Sequence, residues 1–384
     1  MNTRVTAVVG LQYGNEEREN IASFISEDAD IIIKGASGKG DISRFRGLPS
    51  GAMNPDSMNI YGPGCVVDFK SVYDSIQNLR KSTELDVDNI FFDYRAVVKM
   101  PYHSTIADVM DDRLNGLSLR CGDLIEDDVL KSRIAYIVER KNPTLERKLD
   151  AATLIATAKS YRAEFANFIL DTTPVVRDSV EDRGMIVIEG EGGLLKDPDY
   201  GTATPEMFHT TLGAIADGAG VGAHAVNKVV GVAKCYTSIV GDDRFPTATD
   251  TRISAVLSES EDHRRARTGW IDVTAMDYAC YINGVDELAL TRIDALDRFD
   301  KVRLCTGYMI EGEYYSYLPE RVKAQKAQPI YETMDGWMKD TSGLEKYEDL
   351  PENARAFLER ISEATGRKLR YVTTGPDLKD VIKL

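Results

Sequence analysis

Short runs of β-branched and other apolar residues recur along the chain and predict buried strands. They lie at 5–9, 31–33, 184–188, 229–233, 287–290 and 302–304. Between several of them, apolar residues recur at helical period, at 72–79, 145–170 and 351–364. Strands that alternate with helices are typical of an α/β fold with a mostly parallel central sheet flanked by helices. The pattern therefore predicts this fold class.

The domain organisation follows from the absence of boundaries in the sequence. The 384 residues contain no internal repeat, no low-complexity tract and no linker rich in Gly, Ser and Pro. Hydrophobic residues make up 43% of the chain and charged residues 28%, as in ordinary globular proteins. We therefore expect residues 1–384 to form a single large domain with insertions.

Charge and apolar content narrow the function further. The formal net charge is −15, so like-charge repulsion argues against binding to nucleic acid or to an anionic membrane. No apolar run approaches the roughly 18 residues that a membrane span requires, and the first residues lack the layout of a secretory signal. We expect a cytoplasmic protein. Its five cysteines lack C-x-x-C spacing, which favours reduced, buried thiols over a disulfide or a zinc site.

Two polar loops follow early strands, at 14–20 and at 34–41. Ligands of α/β proteins usually bind beyond the carboxyl ends of strands, where loops and helix N-termini present backbone N–H groups. The second loop contains the Gly38-Lys39 pair of a Walker A loop, but Gly40 stands where that motif has Ser or Thr. Taken alone, this pair is a weak signal, and a mobile polar turn is the favoured interpretation of the loop.

A series of short motifs runs in a fixed order through the chain. They occupy 48–51, 62–68, 101–103, 120–124, 189–195, 199–202, 210–211, 229–237, 245–247, 269–272, 281–284, 290–297 and 374–377. In order and approximate spacing they resemble the adenylosuccinate synthetases, a family of ligases, over nearly the whole chain. The resemblance implies a P-loop-like nucleotide site, GTP or ATP as co-substrate, Mg²⁺ and a homodimer. Bacteriophage relatives in this superfamily join aspartate to dGMP.

The resemblance assigns catalytic and metal-binding roles to the early loops. Asn15 replaces the family's aspartate, which is both base and magnesium ligand, and Asp41 stands at the position of its catalytic histidine. The predicted catalytic residues are Asn15, Glu16 and Asp41, and the predicted magnesium contacts are Asn15 and Gly40. An amide is a poorer base and a weaker ligand for a hard cation than a carboxylate. Glu16, Glu17 or Asp41 must therefore supply the missing carboxylate, unless Glu16 to Glu19 are a solvated helix start.

Nucleotide binding is assigned in the same way. The predicted residues are Gly14, Arg18, Gly40, Arg292, Asp294, Thr374, Gly375 and Pro376. Asp294 suits guanine because a carboxylate can accept hydrogen bonds from N1–H and the 2-amino group together. The competing interpretation makes Asp294 a solvated helix cap after a strand.

The substrate side departs most from the family. The predicted substrate-binding residues are Ser37, Gly192, Thr210, Thr211, Arg264, Arg265 and Arg267. The segment that holds the IMP phosphate in the family has no counterpart between His103 and Arg120. The arginines at 264, 265 and 267 form a basic cluster that could hold a carboxylate or a phosphate, or could be a surface salt-bridge patch.

These observations leave three functional hypotheses. The leading one is a diverged ligase that joins an aspartate-like amino acid to a purine nucleotide of IMP or dGMP type through a phosphorylated intermediate. The second is a catalytically inactive nucleotide-binding paralogue with a regulatory or structural role, which Asn15, Glu17, Glu19 and Asp41 together favour. The third is a nucleotide hydrolase that uses the same triphosphate site without ligation.

Overall fold

The structure is a computed structural model that describes residues 4–14, 16–36, 47–83, 87–261, 266–318, 320–324 and 326–384. The side chains of Arg4 and Thr251 are also outside the description. Six predicted site residues lie outside the described residues: Asn15, Ser37, Gly40, Asp41, Arg264 and Arg265. The predictions that rest on them stay predictions.

Strands and helices alternate along the described chain. The strands are β1 (Arg4–Gly10), β2 (Ile31–Lys34), β3 (Met58–Tyr61), β4 (Val66–Val67), β5 (Ile90–Asp93), β6 (Val97–Val98), β7 (Leu119–Arg120), β8 (Ile169–Leu170), β9 (Met185–Glu189), β10 (Val226–Lys234), β11 (Tyr236–Val240), β12 (Ala266–Asp272), β13 (Glu287–Thr291), β14 (Lys301–Ile310), β15 (Glu313–Tyr315), β16 (Gln328–Asp335), β17 (Lys368–Thr373) and β18 (Val381–Lys383). The α-helices are α1 (Arg18–Ile25), α2 (Phe69–Thr83), α3 (Ile106–Leu114), α4 (Asp127–Lys141), α5 (Ala151–Phe165), α6 (Thr173–Glu181), α7 (Leu212–Gly218), α8 (Thr251–Ser258), α9 (Val273–Asn283), α10 (Arg321–Ala324) and α11 (Glu352–Thr365).

All six predicted strands are present, and the helical patterns at 72–79 and 351–364 correspond to α2 and α11. The prediction of one helical pattern over 145–170 is wrong at both ends. The side chain of Asp150 accepts from the backbone N–H of Thr153 and caps α5, so the helix begins only at Ala151. At the other end, Ile169 and Leu170 form β8 and pair with β5, because a strand ladder satisfies their backbone groups there.

The described chain divides into two compact units. Unit 1 comprises the residues up to Val5, Ser26–Gly190 and Gly213–Asn227, and unit 2 comprises Thr6–Ile25, Glu191–Leu212 and Lys228–Leu384. In unit 1, the strand order is β9-β2-β3-β5-β8, and these neighbours are parallel. In unit 2, the order is β18-β17-β13-β10-β1. The predicted α/β fold with a mostly parallel sheet and flanking helices is confirmed, while the prediction of a single domain over 1–384 stays a prediction.

Unit 2 places several strand ends side by side. Strands β10, β13 and β17 are parallel, with Lys234 opposite Thr291 and Leu290 opposite Val372 in the register. The residue that follows β1, Leu11, donates its backbone N–H to the carbonyl of Val232 at 2.9 Å. The loops after β1, β10, β13 and β17 therefore meet at one edge of the sheet, which is where ligands of α/β proteins bind. A second sheet of this unit has the order β11-β12-β14-β15, with β16 on β14.

The cysteines behave as the sequence predicts. All five are buried free thiols: Cys65, Cys121, Cys235, Cys280 and Cys305. Burial raises the pKa of the Cys280 thiol to about 12, so this group is an inert part of the interior. Within the described ranges, no helix combines the length and the apolar character needed to cross a membrane.

Candidate active site

The turn after β1 folds around the carboxylate of Glu16. Its Oε1 accepts hydrogen bonds from the backbone N–H groups of Gln12 and Gly14, both at 2.8 Å, and the residue is only 2% exposed. Gly193 leaves the room for it, since a Cβ there would lie 2.6 Å from Oε1. Burial raises the pKa of Glu16, although these backbone donors and the charge of Arg18 act in the opposite direction. Glu16 is thus an interior residue that shapes the turn, and the solvated-helix interpretation is wrong for it.

Side chains attach this turn to the ends of two neighbouring strands. The amide of Gln12 donates to the carbonyls of Lys234 at 3.2 Å and Tyr236 at 3.0 Å, and it accepts from the Lys234 N–H at 3.0 Å. The hydroxyl of Thr291 donates to the carbonyl of Glu16 at 2.9 Å. Because all these groups are buried, the turn has a defined position against β10 and β13.

Arg18 begins α1 and lies beside the predicted substrate residues. Its Nη1 donates to the carbonyl of Gly192 at 2.7 Å, and the residue is 6% exposed. Gly192 has φ 77°, a left-handed conformation that favours glycine, and the methyl of Thr210 lies next to it. Thr210 is held in turn by Asp197, which accepts from its N–H at 2.7 Å. The structure therefore brings Arg18, Gly192 and Thr210 together, with Thr211 next in the chain.

Arg292 is the centre of a buried ion network. Its Nε and Nη2 donate to the two carboxylate oxygens of Asp294 at 3.1 and 3.0 Å. Its Nη1 donates to Oε1 of Glu17 at 2.9 Å and to the carbonyl of Ser260 at 2.6 Å. Burial alone would lower the pKa of Arg292, but the hydrogen bond to Asp294 and the charges of Glu17 and Asp294 raise it above its ordinary value. Arg292 is therefore a permanent cation whose three nitrogens all have partners.

The backbone at this network is strained. Arg292 has φ 60° and Glu17 has φ 57°, the left-handed region that residues with a Cβ rarely occupy. Such conformations cost on the order of 1–3 kcal/mol each and persist where the surrounding contacts enforce them. Here the ion pair between the two side chains is such a contact, because it joins the turn after β1 to the loop after β13.

A cavity of ≈ 630 Å³ opens beside this network, a volume within the range of small-molecule sites. Asp294, Asp297 and Ser260 lie on its wall, together with Glu259, Arg298 and Lys339. Asp297 is held by Trp337 Nε1 at 2.6 Å and by the hydroxyl of Thr341 at 2.9 Å. Asp294 is neither a solvated cap nor a free carboxylate, since Arg292 orients it. A carboxylate has about four lone-pair sites, so Asp294 keeps acceptor capacity for a ligand.

The segment after β17 adjoins the same network. The N–H of Arg292 donates to the hydroxyl of Thr373 at 2.9 Å, and the amide of Asn20 donates to the carbonyl of Pro376 at 2.7 Å. A Cβ at Gly375 would lie 2.4 Å from a carboxylate oxygen of Asp380, so a larger residue there would have to displace this side chain. The hydroxyl of Thr374 donates to the carbonyl of Leu344 at 3.0 Å. The predicted nucleotide residues 374–376 therefore lie next to α1 and to Arg292.

Sequence reasoning missed a second buried ion pair. Lys234 Nζ lies 2.7 Å from Oε1 of Glu261, and the hydroxyl of Tyr236 donates to the same oxygen at 2.6 Å. Burial raises the pKa of Tyr236 well above its usual value, and the charge of Glu261 adds to this effect. The sequence could have indicated Lys234 and Tyr236 as site residues, since polar residues at the end of a buried apolar strand are unusual. Nothing in the sequence indicated Glu261 beyond its position before the basic cluster.

Arg267 is the one predicted substrate arginine within the described residues. It lies near the start of β12, opposite Ile239, and its Nε and Nη2 are buried without a hydrogen-bond partner among the described residues. A guanidinium in this state has the donors that a carboxylate or phosphate would use.

The metal prediction has no support from the described residues. Among them, no group of three or more His, Cys, Asp or Glu side chains is arranged to hold a metal ion. The two predicted contacts, Asn15 and Gly40, lie outside the description, so magnesium binding there stays a prediction.

Known proteins share both the sequence and the fold of this chain. The family model of adenylosuccinate synthetase matches residues 7–382. The chain is 29% identical to the adenylosuccinate synthetase of Caldicellulosiruptor saccharolyticus over 99% of both chains. It is 31% identical to that of Bacillus licheniformis over 96% of both.

Solved structures also resemble this chain. The fully ligated adenylosuccinate synthetase of Plasmodium falciparum matches with a TM-score of 0.88 and 22% identity, over 100% of both chains. The succinoaminodeoxyadenylate synthetase of cyanophage S-2L, bound to dGMP and to dATP as energy donor, matches with a TM-score of 0.59 and 16% identity, over 100% of this chain and 96% of that one. At these identities the likeness shows the fold alone.

The fold is α/β, and the family model and the named relatives define an enzyme of the carbon–nitrogen ligase class. The chain belongs to the adenylosuccinate synthetase family, since the family model covers nearly all of it.

Proposed function

We propose that the protein joins an aspartate-like amino acid to a purine nucleotide monophosphate, at the cost of a purine nucleoside triphosphate. The family match over residues 7–382 supports the reaction class. The observation that supports binding of a nucleotide is the carboxylate of Asp294, which lies at the wall of the ≈ 630 Å³ cavity and accepts two hydrogen bonds from Arg292. The acceptor is of IMP or dGMP type, because relatives are adenylosuccinate synthetases and one structural neighbour contains dGMP.

Asp294 reads the base of the triphosphate, and we propose guanine as the preferred base. A fixed carboxylate can accept from both N1–H and the 2-amino group of guanine, whereas adenine presents a ring acceptor at that position. The orientation by Arg292 supports this role because an acceptor that is already positioned loses little freedom on binding. The structural neighbour with dATP makes an adenine nucleotide the second candidate.

The basic residues at 264, 265 and 267 hold the acidic group of the amino acid. Arg267 supports this assignment through its two buried nitrogens that lack a partner among the described residues. Arg264 and Arg265 follow Glu261 by only three and four positions, and Glu261 is attached to Lys234. Glu261, the described residue that precedes this segment in the sequence, is thus anchored at the edge of the sheet that carries Arg292.

The reaction proceeds through a phosphorylated intermediate. Transfer of a phosphoryl group to the oxo group of the acceptor converts a poor leaving group into a good one, and the amine then displaces phosphate. A carboxylate must assist the proton transfers in place of the family's aspartate, and Asp41 is our first choice. Glu16 is the second choice, because both backbone N–H donors already occupy its Oε1 and its side chain is turned into the interior. When bound, Mg²⁺ would neutralise charge on the phosphates.

The test combines each triphosphate with each acceptor. The protein is incubated with aspartate and Mg²⁺, with GTP, ATP or dATP, and with IMP or dGMP, and products are identified by mass spectrometry. A nucleotide that carries aspartate through a new C–N bond, and that forms only when triphosphate, acceptor and aspartate are all present, supports the proposal. Phosphate release without this product favours a hydrolase, and nucleotide binding without phosphate release favours the catalytically inactive paralogue. A homodimer, which the family resemblance also predicts, is checked by light scattering.

A further inference from the structure

The contacts of Glu17 connect two parts of unit 2 that a nucleotide would have to span. Glu17 belongs to the turn after β1, whereas its partner Arg292 holds Asp294 at the wall of the cavity. Neither Glu17 nor Arg292 is among the described residues that line the cavity. Through Arg292, the Glu17–Arg292 pair therefore connects Asp294 at the cavity wall to the turn that leads to Arg18.

Among the described residues, the ion pairs of this network contain three carboxylates, Glu17, Asp294 and Glu261, and only two cations, Arg292 and Lys234. The Oε2 of Glu17 is buried and has no hydrogen-bond partner within the described part of the chain. A carboxylate that is buried with one oxygen unsatisfied is held less favourably than one with both oxygens paired. Glu17 is thus the member of the network that a better anion could replace.

We propose that Glu17 is an internal competitor of the nucleotide, and that a nucleoside triphosphate must displace its carboxylate from Arg292 in order to bind. The inference rests on the proposed function, which places the base at Asp294. With its base at Asp294 and its phosphates at Arg18, the triphosphate would span the residues that the Glu17–Arg292 pair joins. Its negative charge also opposes a carboxylate at that point.

A nucleoside without phosphates does not meet this obstacle. It fits within the cavity beside Asp294 and carries no charge that Glu17 would repel. The internal competitor therefore weakens triphosphate binding selectively and leaves nucleoside binding largely unaffected. This difference separates the proposal from a general effect of Glu17 on the fold.

Two substitutions of Glu17 test the proposal in the full chain. Glu17→Gln removes the charge and keeps the shape, and Glu17→Gly also suits the left-handed backbone at φ 57°. The matched control is Glu19→Gln, which removes one negative charge at a position two residues further along the chain. Glu19 is a suitable control because the hydrogen-bond partners of the Arg292 side chain are Glu17, Asp294 and Ser260. Binding of GTP, ATP and guanosine is measured by isothermal titration calorimetry.

We expect both Glu17 variants to bind the triphosphate about tenfold more tightly, the size of one charge-assisted hydrogen bond that no longer has to be broken. Guanosine affinity should change by less than about twofold, and Glu19→Gln should have a clearly smaller effect on the triphosphate. An equal gain for Glu19→Gln would reduce the effect to overall charge and overturn the proposal. Weaker triphosphate binding in the Glu17 variants would make Glu17 a nucleotide ligand and also overturn it. If the Glu17 variants bind the triphosphate with the same affinity as the native protein, the role of Glu17 as a competitor is refuted and the proposed function still stands. If neither the native protein nor the variants bind a nucleotide, the proposed function is refuted as well.

Discussion

Lys234 and Glu261 form an ion pair whose side chains are 3% and 0% exposed, with Nζ and Oε1 2.7 Å apart. A buried pair of this kind adds little to stability compared with apolar residues, but loss of one partner leaves an uncompensated charge in the interior. The pair attaches Glu261, which precedes the basic segment 264–267 in the sequence, to the end of β10. Loss of either partner should therefore affect the stability of unit 2.

Removal of one partner of this pair should destabilise the protein strongly. We expect Glu261→Leu to lower the free energy of unfolding by about 3–5 kcal/mol, because Lys234 stays buried without a counter-charge. The double variant Lys234→Met with Glu261→Leu should recover most of the loss. Urea denaturation measures both, and Glu259→Gln is the control, since its ion pair with Arg298 is exposed and should contribute little. A double variant as unstable as the single one would contradict this explanation.

Asp294 should determine which triphosphate binds. We expect Asp294→Asn to weaken GTP binding by about 1–3 kcal/mol, since the amide presents a donor where guanine also presents donors. Asp340→Asn is the matched control because Asp340 lines the same cavity without an ion pair to Arg292. Calorimetry with the native protein provides the decisive comparison: equal affinity for GTP, ATP and CTP would mean that Asp294 does not read the base.

Arg292 and Glu17 should be energetically coupled. Arg292→Gln leaves two partly buried carboxylates without their cation and should destabilise the fold by about 2–4 kcal/mol, somewhat less than the loss of a fully buried partner. In a double-mutant cycle with Glu17→Gln, the combined loss should be smaller than the sum of the single losses by about 1–3 kcal/mol. Strictly additive losses in chemical denaturation would show that the contact between these residues has no energetic weight.

Asp272 should make stability depend on pH. Its carboxylate accepts from the Tyr308 hydroxyl at 2.8 Å and caps α9 by accepting from the Ala275 N–H at 3.0 Å. Burial raises its pKa from 3.8 to about 6. Because the pKa is higher in the folded state, protonation of Asp272 favours folding, and this contribution to stability is complete below about pH 4. The contribution is lost as the pH rises to about 6 and does not change above that pH. The total loss is about 3 kcal/mol.

Asp272→Asn tests this dependence because asparagine keeps an acceptor for the Ala275 N–H but does not titrate. We expect the native protein to lose stability relative to the variant between about pH 4 and pH 6, and to show a constant difference above that range. The free energy of unfolding of both proteins is measured by urea denaturation at each pH. A difference that does not change over this range would assign the pH dependence to other groups.

Arg264 should act on the amino-acid substrate and not on the triphosphate. We expect Arg264→Ala to raise the KM for the amine donor by about tenfold or more, the loss of a charge-assisted contact to a carboxylate. Triphosphate affinity should stay within about twofold of the native value, and Arg252→Ala, an exposed arginine of α8, is the control. Loss of triphosphate binding alone would refute the assignment.

Local patterns in the sequence were sufficient for the elements and for several single site residues. Continuous apolar runs such as 31–33 predicted strands because a strand in a parallel sheet is buried on both faces. The pattern at 351–364 predicted α11 because Ala354, Phe357, Leu358 and Ile361 recur on the face that is buried. The family motif at 290–297 also brought Arg292 and Asp294 to attention together. These features depend on residues that are near one another in the chain.

Only the tertiary structure decided which charges meet. Glu17 and Arg292 are 275 positions apart, and they form a pair because the loops after β1 and β13 reach the same edge of the sheet. No local periodicity records that proximity, and the same holds for Lys234 and Glu261. The tertiary structure also ended the helical pattern at 145–170, because the Asp150 cap and the pairing of Ile169 and Leu170 with β5 satisfy backbone groups that a longer helix would have used. Residue types and their order thus determined the elements, while burial and strand order determined their partners.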